Sequence, residues 1–133
     1  MNALIPVAPA NVPSCENVVA RLDRAGEVER LYADLHLVSW AENPRTARLM
    51  ASGLRRMSQK VVEEAAEVAL EGVRRRNSAV VRESADLIYH LVVLWHELGI
   101  EPDQIWAEMR QRSDTIGIAE KLPKSKARAE AVR

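Results

Sequence analysis

The sequence predicts an all-α fold, an antiparallel bundle of four or five helices, and three observations predict it. Apolar residues recur at three- and four-residue steps from Val18 to Leu98. No run combines strand-like alternation with turn signals. The apolar content is aliphatic, with no Phe, three Trp and two Tyr, and a supply of Ala, Val and Leu suits helices that pack closely on one another.

Residues 1–15 carry three prolines and no acidic or basic side chain before Glu16, which predicts an extended N-terminal arm. From Glu16 to Trp40, Val18, Val19, Leu22, Val28, Leu31, Leu35 and Val38 keep helical spacing, with Gly26 as a point of division. Asn43-Pro44 breaks the pattern, because a residue before proline avoids the α region, and the next helix starts around Arg45. That helix runs to Arg76 with a weak point at Gly53, and Val62, Ala65, Ala66, Ala69 and Val73 form the side expected to face a core. Asn77-Ser78 reads as a short connection with Ser78 as N-cap, followed by a helix over 79–98 that Gly99 stops. Leu87, Ile88, Leu91, Val92, Leu94, Trp95 and Leu98 make its second half apolar on more than one side, the mark of a central helix. Pro102 and Asp103 open a last helix over 104–112. The bundle domain is thus expected over 16–113, with a basic tail over 114–133.

Composition narrows the function classes. At 133 residues the chain is one domain with one modest core. Its 47% hydrophobic and 29% charged residues give a globular balance. Nineteen Lys and Arg against nineteen Asp and Glu leave no net charge, so the basic excess of a nucleic-acid binder is missing. Cys15 is the only cysteine, which excludes an intramolecular disulfide and thiolate metal centres and suits a reducing compartment. The start lacks a charged segment and is interrupted by Pro6, Pro9 and Pro13, so no secretion signal is expected. The longest apolar stretch, Leu87 to Trp95, is broken by His90 and falls far short of the roughly twenty residues a membrane span needs. A cytoplasmic protein with no membrane or nucleic-acid partner is the expectation.

The chemistry lies in acidic residues placed on bundle helices. Residues three or four apart share a helix face, so Glu63, Glu64 and Glu67 can point together, as can Glu83 and Asp86 on the next helix. A helical hairpin can bring the two sets face to face. Carboxylates converging in this way repel one another and call for a cation. Glu63, Glu64 and Glu67 have no Lys four residues on. Mg²⁺, with Mn²⁺ as the alternative, prefers oxygen ligands and retains water and phosphate oxygens in its shell, which makes such a centre suited to phosphate chemistry. The competing reading is a solvated glutamate-rich face, since Glu is a good helix former. A di-iron carboxylate centre needs Glu-x-x-His, which this chain lacks. Just upstream, Arg45, Arg48, Arg55, Arg56 and Lys60 fall in a stretch without an acid, the forks a polyphosphate would want opposite a metal. His90, four residues after Asp86, can face the same centre or serve as a structural histidine. Arg74 to Arg76, at a helix end, are explained by the helix dipole and solubility.

Three stretches carry a family resemblance: Thr46-Ala-Arg-Leu-Met-Ala-Ser-Gly53, Arg56-Met-Ser-Gln-Lys60-Val-Val-Glu-Glu-Ala-Ala-Glu67 and Glu83-Ser-Ala-Asp-Leu-Ile-Tyr-His-Leu-Val-Val-Leu94. Together they resemble phosphoribosyl-ATP pyrophosphohydrolases, and Glu-Glu-x-x-Glu followed by Glu-x-x-Asp is similar to the signature of the wider all-α NTP pyrophosphohydrolase (MazG-like) superfamily. The resemblance implies a Mg²⁺-dependent hydrolase that cuts between the α and β phosphates of phosphoribosyl-ATP, giving phosphoribosyl-AMP and pyrophosphate in histidine biosynthesis. It also implies a homodimer. On that pattern Glu63, Glu64, Glu67, Glu83 and Asp86 hold metal, one of them orients or deprotonates the attacking water, and Lys60 sits against phosphate, with Arg48 and Arg56 as further substrate-binding cations. Arg45 and Val62 stand where many members have an aromatic residue and a glycine. The alternative substrate class is therefore a non-standard or excess nucleoside triphosphate. A third alternative is a helical interaction module without catalysis.

Overall fold

The computed structural model describes residues 26–121, and the regular elements in this region are all helices. The helices are α1 (Glu27–Leu35), α2 (Pro44–Ala51), α3 (Leu54–Val73), α4 (Asn77–Leu98) and α5 (Pro102–Ile116). The arm over 1–15, the segment 16–25 and the tail beyond Lys121 lie outside the described residues. The all-α expectation holds, and α3 with α4 forms the antiparallel hairpin at its centre.

Several boundaries differ from the sequence reading, each for a local reason. Helix α1 stops at Leu35 instead of running toward Trp40. His36 caps it, donating its backbone N–H to Ala33 at 3.2 Å while its ring Nδ1 lies 3.0 Å from the Tyr32 carbonyl, so the side chain competes for the last turn. The stretch expected over 45–76 is two helices. Gly53, at φ +86°, adopts a left-handed backbone that breaks it, and Pro44 occupies the first turn of α2. The α3–α4 connection comes earlier than Asn77-Ser78: Arg75 takes φ +56°, Arg76 donates its N–H to Glu71 at 3.1 Å, and Asn77 is already helical. Ser78 is therefore inside α4, and no side-chain hydrogen bond caps that helix. Gly99 ends α4 at φ +68°, as the pattern predicts. Helix α5 opens with a capping box in which Glu101 and Gln104 exchange side-chain and backbone bonds, and it continues to Ile116, past the expected end near residue 112.

The core sits where α1 crosses the hairpin. Tyr32 and Leu35 from α1, Met57 from α3, and Val92 and Val93 from α4 are buried together, with Leu31, Leu49, Met50 and Trp95 packed around them. Helix α5 is held by the Trp106 Nε1–H bond to Glu29 at 2.5 Å and by an edge-on contact between Trp106 and Trp95. One expectation is overturned on α3. Val62, Ala65, Ala66, Ala69 and Val73 do not face the core of this chain; they are exposed, Val73 by 85%. The side of α3 turned to α4 is the one with Met57, Lys60, Val61, Glu64 and Val68, so the hairpin buries a mixed stripe and leaves the small apolar one outside. On α4 the central-helix expectation holds at Val92 and Val93, while Val81 and Ile88 are exposed.

Candidate active site

Antiparallel pairing of α3 with α4 decides which carboxylates meet. Glu64, on the face of α3 turned to α4, is the buried charged residue among those described, at 7% exposure. One oxygen each from Glu64, Glu83 and Asp86 lies within 4.8 Å of the others. Glu67, one turn after Glu64, reaches hydrogen-bonding distance of Glu83. That bond, then partial burial, then the charges of Glu67, Asp86 and Glu64 push the Glu83 carboxyl up from its ordinary value. A carboxylate raised in this way is one whose neighbours leave it short of positive charge.

Two metal–oxygen bonds of about 2.1 Å span about 4.2 Å, so small side-chain adjustments let a hard divalent ion contact all three oxygens. The donor set is all oxygen and drawn from two helices, which fits Mg²⁺ or Mn²⁺ and not a thiolate-seeking metal. Glu63 is placed differently. It lies 2.8 Å from Lys60 Nζ and 3.1 Å from Arg56 Nη1, and the hydrogen bond from Lys60 holds its carboxyl below the ordinary value despite opposing desolvation. Lys60 also reaches Glu64 Oε1 at 2.7 Å, and its hydrogen bonds to Glu63 and Glu64 raise its own pKa. Glu63 and Glu64 thus do have a lysine partner, on their N-terminal side instead of four residues on.

Glu64, Asp86, Lys60 and Arg56 border a cavity of about 670 Å³. Arg45, Arg48, Arg56 and Lys60 line it together with Glu64 and Asp86, so the upstream cations and the carboxylates share one space. Arg55 lies instead on a shallower surface with Ser58, Gln59 and Val62. His90 does line the cavity. Its Nε2 is 3.6 Å from Glu64, its buried Nδ1 has no hydrogen-bond partner among the described residues, and desolvation lowers its pKa despite the nearby Glu64 charge. Sequence reasoning missed the contact between Thr46 Oγ1 and the Tyr89 hydroxyl, 2.6 Å apart in the same cavity wall. Tyr89 stands three residues after Asp86, a spacing that shares its face and was open to notice. Nothing near Thr46 in sequence signals its partner.

The bundle gathers carboxylates from two antiparallel helices and opposes them with arginines, in keeping with the all-α NTP pyrophosphohydrolase, or MazG-like, superfamily in which the family match places the chain. Within it, the family described as phosphoribosyl-ATP pyrophosphohydrolase matches residues 31–113, and the chain belongs to that family. Among named relatives, "Phosphoribosyl-ATP pyrophosphatase 2" of Rhodopseudomonas palustris is 54% identical over 82 residues, covering 62% of this chain and 63% of the relative. The protein of the same name from Bradyrhizobium diazoefficiens is 51% identical over 61% of this chain and 60% of its own length. "Phosphoribosyl-ATP pyrophosphatase" of Azospirillum brasilense is 46% identical over 73% of this chain and 89% of the relative. The chain therefore spans less than two thirds of the first two relatives and most of the third.

Proposed function

We propose that this protein hydrolyses phosphoribosyl-ATP to phosphoribosyl-AMP and pyrophosphate, a step of histidine biosynthesis, in the cytoplasm and with Mg²⁺ or Mn²⁺ as cofactor. The observation that carries the reading is the convergence of Glu64, Glu83 and Asp86 within 4.8 Å, in a structure where Glu64 and Asp86 share a cavity with Arg45, Arg48, Arg56 and Lys60. Glu64, Glu83 and Asp86 hold the divalent ion. When bound, it neutralises phosphate charge and lowers the pKa of the attacking water.

The side chains supply the rest. Arg45, Arg48 and Arg56 bind the polyphosphate as planar forks, and Lys60, held between Glu63 and Glu64, presents a point charge beside the carboxylates. Glu67, bonded to Glu83 and outside the three-oxygen cluster, accepts the water proton. No Ser or Cys nucleophile is required, because in-line attack by water on a phosphoric anhydride needs positioning and charge stabilisation above all. A second copy of the chain covers the exposed apolar residues Val62 and Val73 of α3 and Val81 and Ile88 of α4, whose exposure supports a homodimer.

The test is pyrophosphate release by purified protein from phosphoribosyl-ATP and from a panel of nucleoside triphosphates, with Mg²⁺, with Mn²⁺ and with chelator. Preference for phosphoribosyl-ATP and loss of turnover in chelator are expected. Preference for a triphosphate such as dUTP or dCTP overturns the substrate, and inactivity on every substrate overturns the enzyme.

A further inference from the structure

Helix α2 carries two of the cavity's cations yet is weakly held. Of its residues only Ala47 is buried, and it is bounded by Pro44 at one end and by the left-handed Gly53 just past the other. Arg45 and Arg48 line the cavity and, among the described residues, make no ion pair. The Thr46–Tyr89 contact is, among the described residues, the one side-chain hydrogen bond between α2 and another helix. At 2.6 Å and partly buried, it joins residues 43 positions apart. Its α4 end lies one helical step from Asp86, so a single bond connects the arginine helix to the carboxylate helix. The same two side chains also border a smaller cavity of about 340 Å³ with Leu35, Val38 and Asn43, and so stand between the two spaces.

We propose that Thr46 and Tyr89 are positioning residues whose hydroxyl–hydroxyl bond fixes Arg45 and Arg48 at a set distance from Glu64 and Asp86, and so sets the length of polyphosphate that spans them. The proposal rests on the pyrophosphohydrolase reading. Neither hydroxyl acts on the reacting atoms. Arginines that grip phosphate equally in the ground state and the transition state lower KM without raising kcat. Loosening α2 should therefore be felt in KM.

The experiment compares wild type, Tyr89→Phe, Thr46→Val, the double variant and Thr46→Ser. Each single change except Thr46→Ser removes one partner of the bond while keeping side-chain bulk, and the double variant removes both. For phosphoribosyl-ATP, KM is expected to rise about three- to tenfold in each single variant, the range of one hydrogen bond's net worth, with kcat within about twofold. The double variant should be no worse than either single, since both delete the same bond. Thr46→Ser should restore KM to within about twofold of wild type. Without nucleotide, amide hydrogen exchange over residues 47–51 should be faster in Tyr89→Phe than in wild type. An unchanged KM, a loss confined to kcat, additive single effects or unchanged exchange each overturns the proposal. Should wild type release no pyrophosphate from phosphoribosyl-ATP, the functional reading falls, and the exchange comparison alone then decides for or against the latch.

Discussion

Replacing Glu64 by Gln separates a carboxylate that serves an ion site from one that serves the fold. Glu64 is attracted by Lys60 at 2.7 Å and repelled by Glu83 and Asp86 within 4.8 Å. Coulomb energies scale as inverse distance, so in one dielectric the attraction weighs about 0.37 per Å and the two repulsions together at least about 0.42 per Å. The dielectric cancels from that comparison. Lys60 also keeps Glu63 at 2.8 Å, and a glutamine oxygen can still accept its proton. The ion-free Glu64→Gln protein is thus expected to unfold within about 1 kcal/mol of wild type, although a broken buried ion pair ordinarily costs about 3–5 kcal/mol. Divalent ion changes the outcome. At a concentration ten times its Kd it should stabilise wild type by about 1.4 kcal/mol, a rise of roughly 5–7 °C in Tm for a domain of this size. The variant should lose most of that rise and at least about 100-fold in turnover. The assay is thermal unfolding at fixed protein concentration, with chelator and then with a Mg²⁺ or Mn²⁺ series. A loss of 3 kcal/mol or more in chelator, joined to an undiminished ion-dependent rise in Tm, would refute the reasoning and make Glu64 the structural partner of Lys60.

Three further outcomes are expected. Burial, and then the nearby His36, hold the His96 imidazole below its ordinary pKa, so the unfolded chain binds the proton more readily than the fold does. Its contribution to stability is complete above the unfolded pKa of about 6.5 and is lost as pH falls through the lower folded value; His96→Gln should flatten the decline of Tm as pH falls below about 6.5. Met57→Ala removes a side chain that is 1% exposed where α1 meets the hairpin, and should cost about 2–5 kcal/mol in denaturant unfolding. Val81→Glu puts a charge among the exposed apolar residues of α3 and α4 and should shift the sedimentation coefficient from dimer to monomer, whereas an unshifted dimer would move the interface elsewhere.

Much of the candidate site was legible because helical spacing is a local property. Glu64 with Glu67, and Glu83 with Asp86, must share faces once their segments are helical, and the short Arg74–Arg76 connection must fold one helix back along the other. Spacing could not distinguish Glu63 from Glu64, since adjacent residues differ by about 100° around the axis and only the direction of the partner helix selects one of them. Here Glu64 turns to α4 and is buried, while Glu63 turns to Arg56 and Lys60 and stays exposed. The apolar stripe of α3 misled for a related reason. Val62, Ala66, Ala69 and Val73 form a regular face, but regularity says that a face can be covered and not by what.

The sequence by itself determined the helical class, the helix start beside Pro44, the stop at Gly99, the weak point at Gly53 and the acidic and basic blocks laid side by side, because each follows from covalent geometry or from the periodicity of a few neighbouring residues. Only the tertiary structure decided that Glu64, Glu83 and Asp86 meet, that His90 joins their cavity, and that Thr46 is tied to Tyr89 across 43 residues. Those outcomes depend on how one helix rotates and slides against another, which is set by the packing of Met57, Val92 and Val93 in the core and is written in no single stretch of chain.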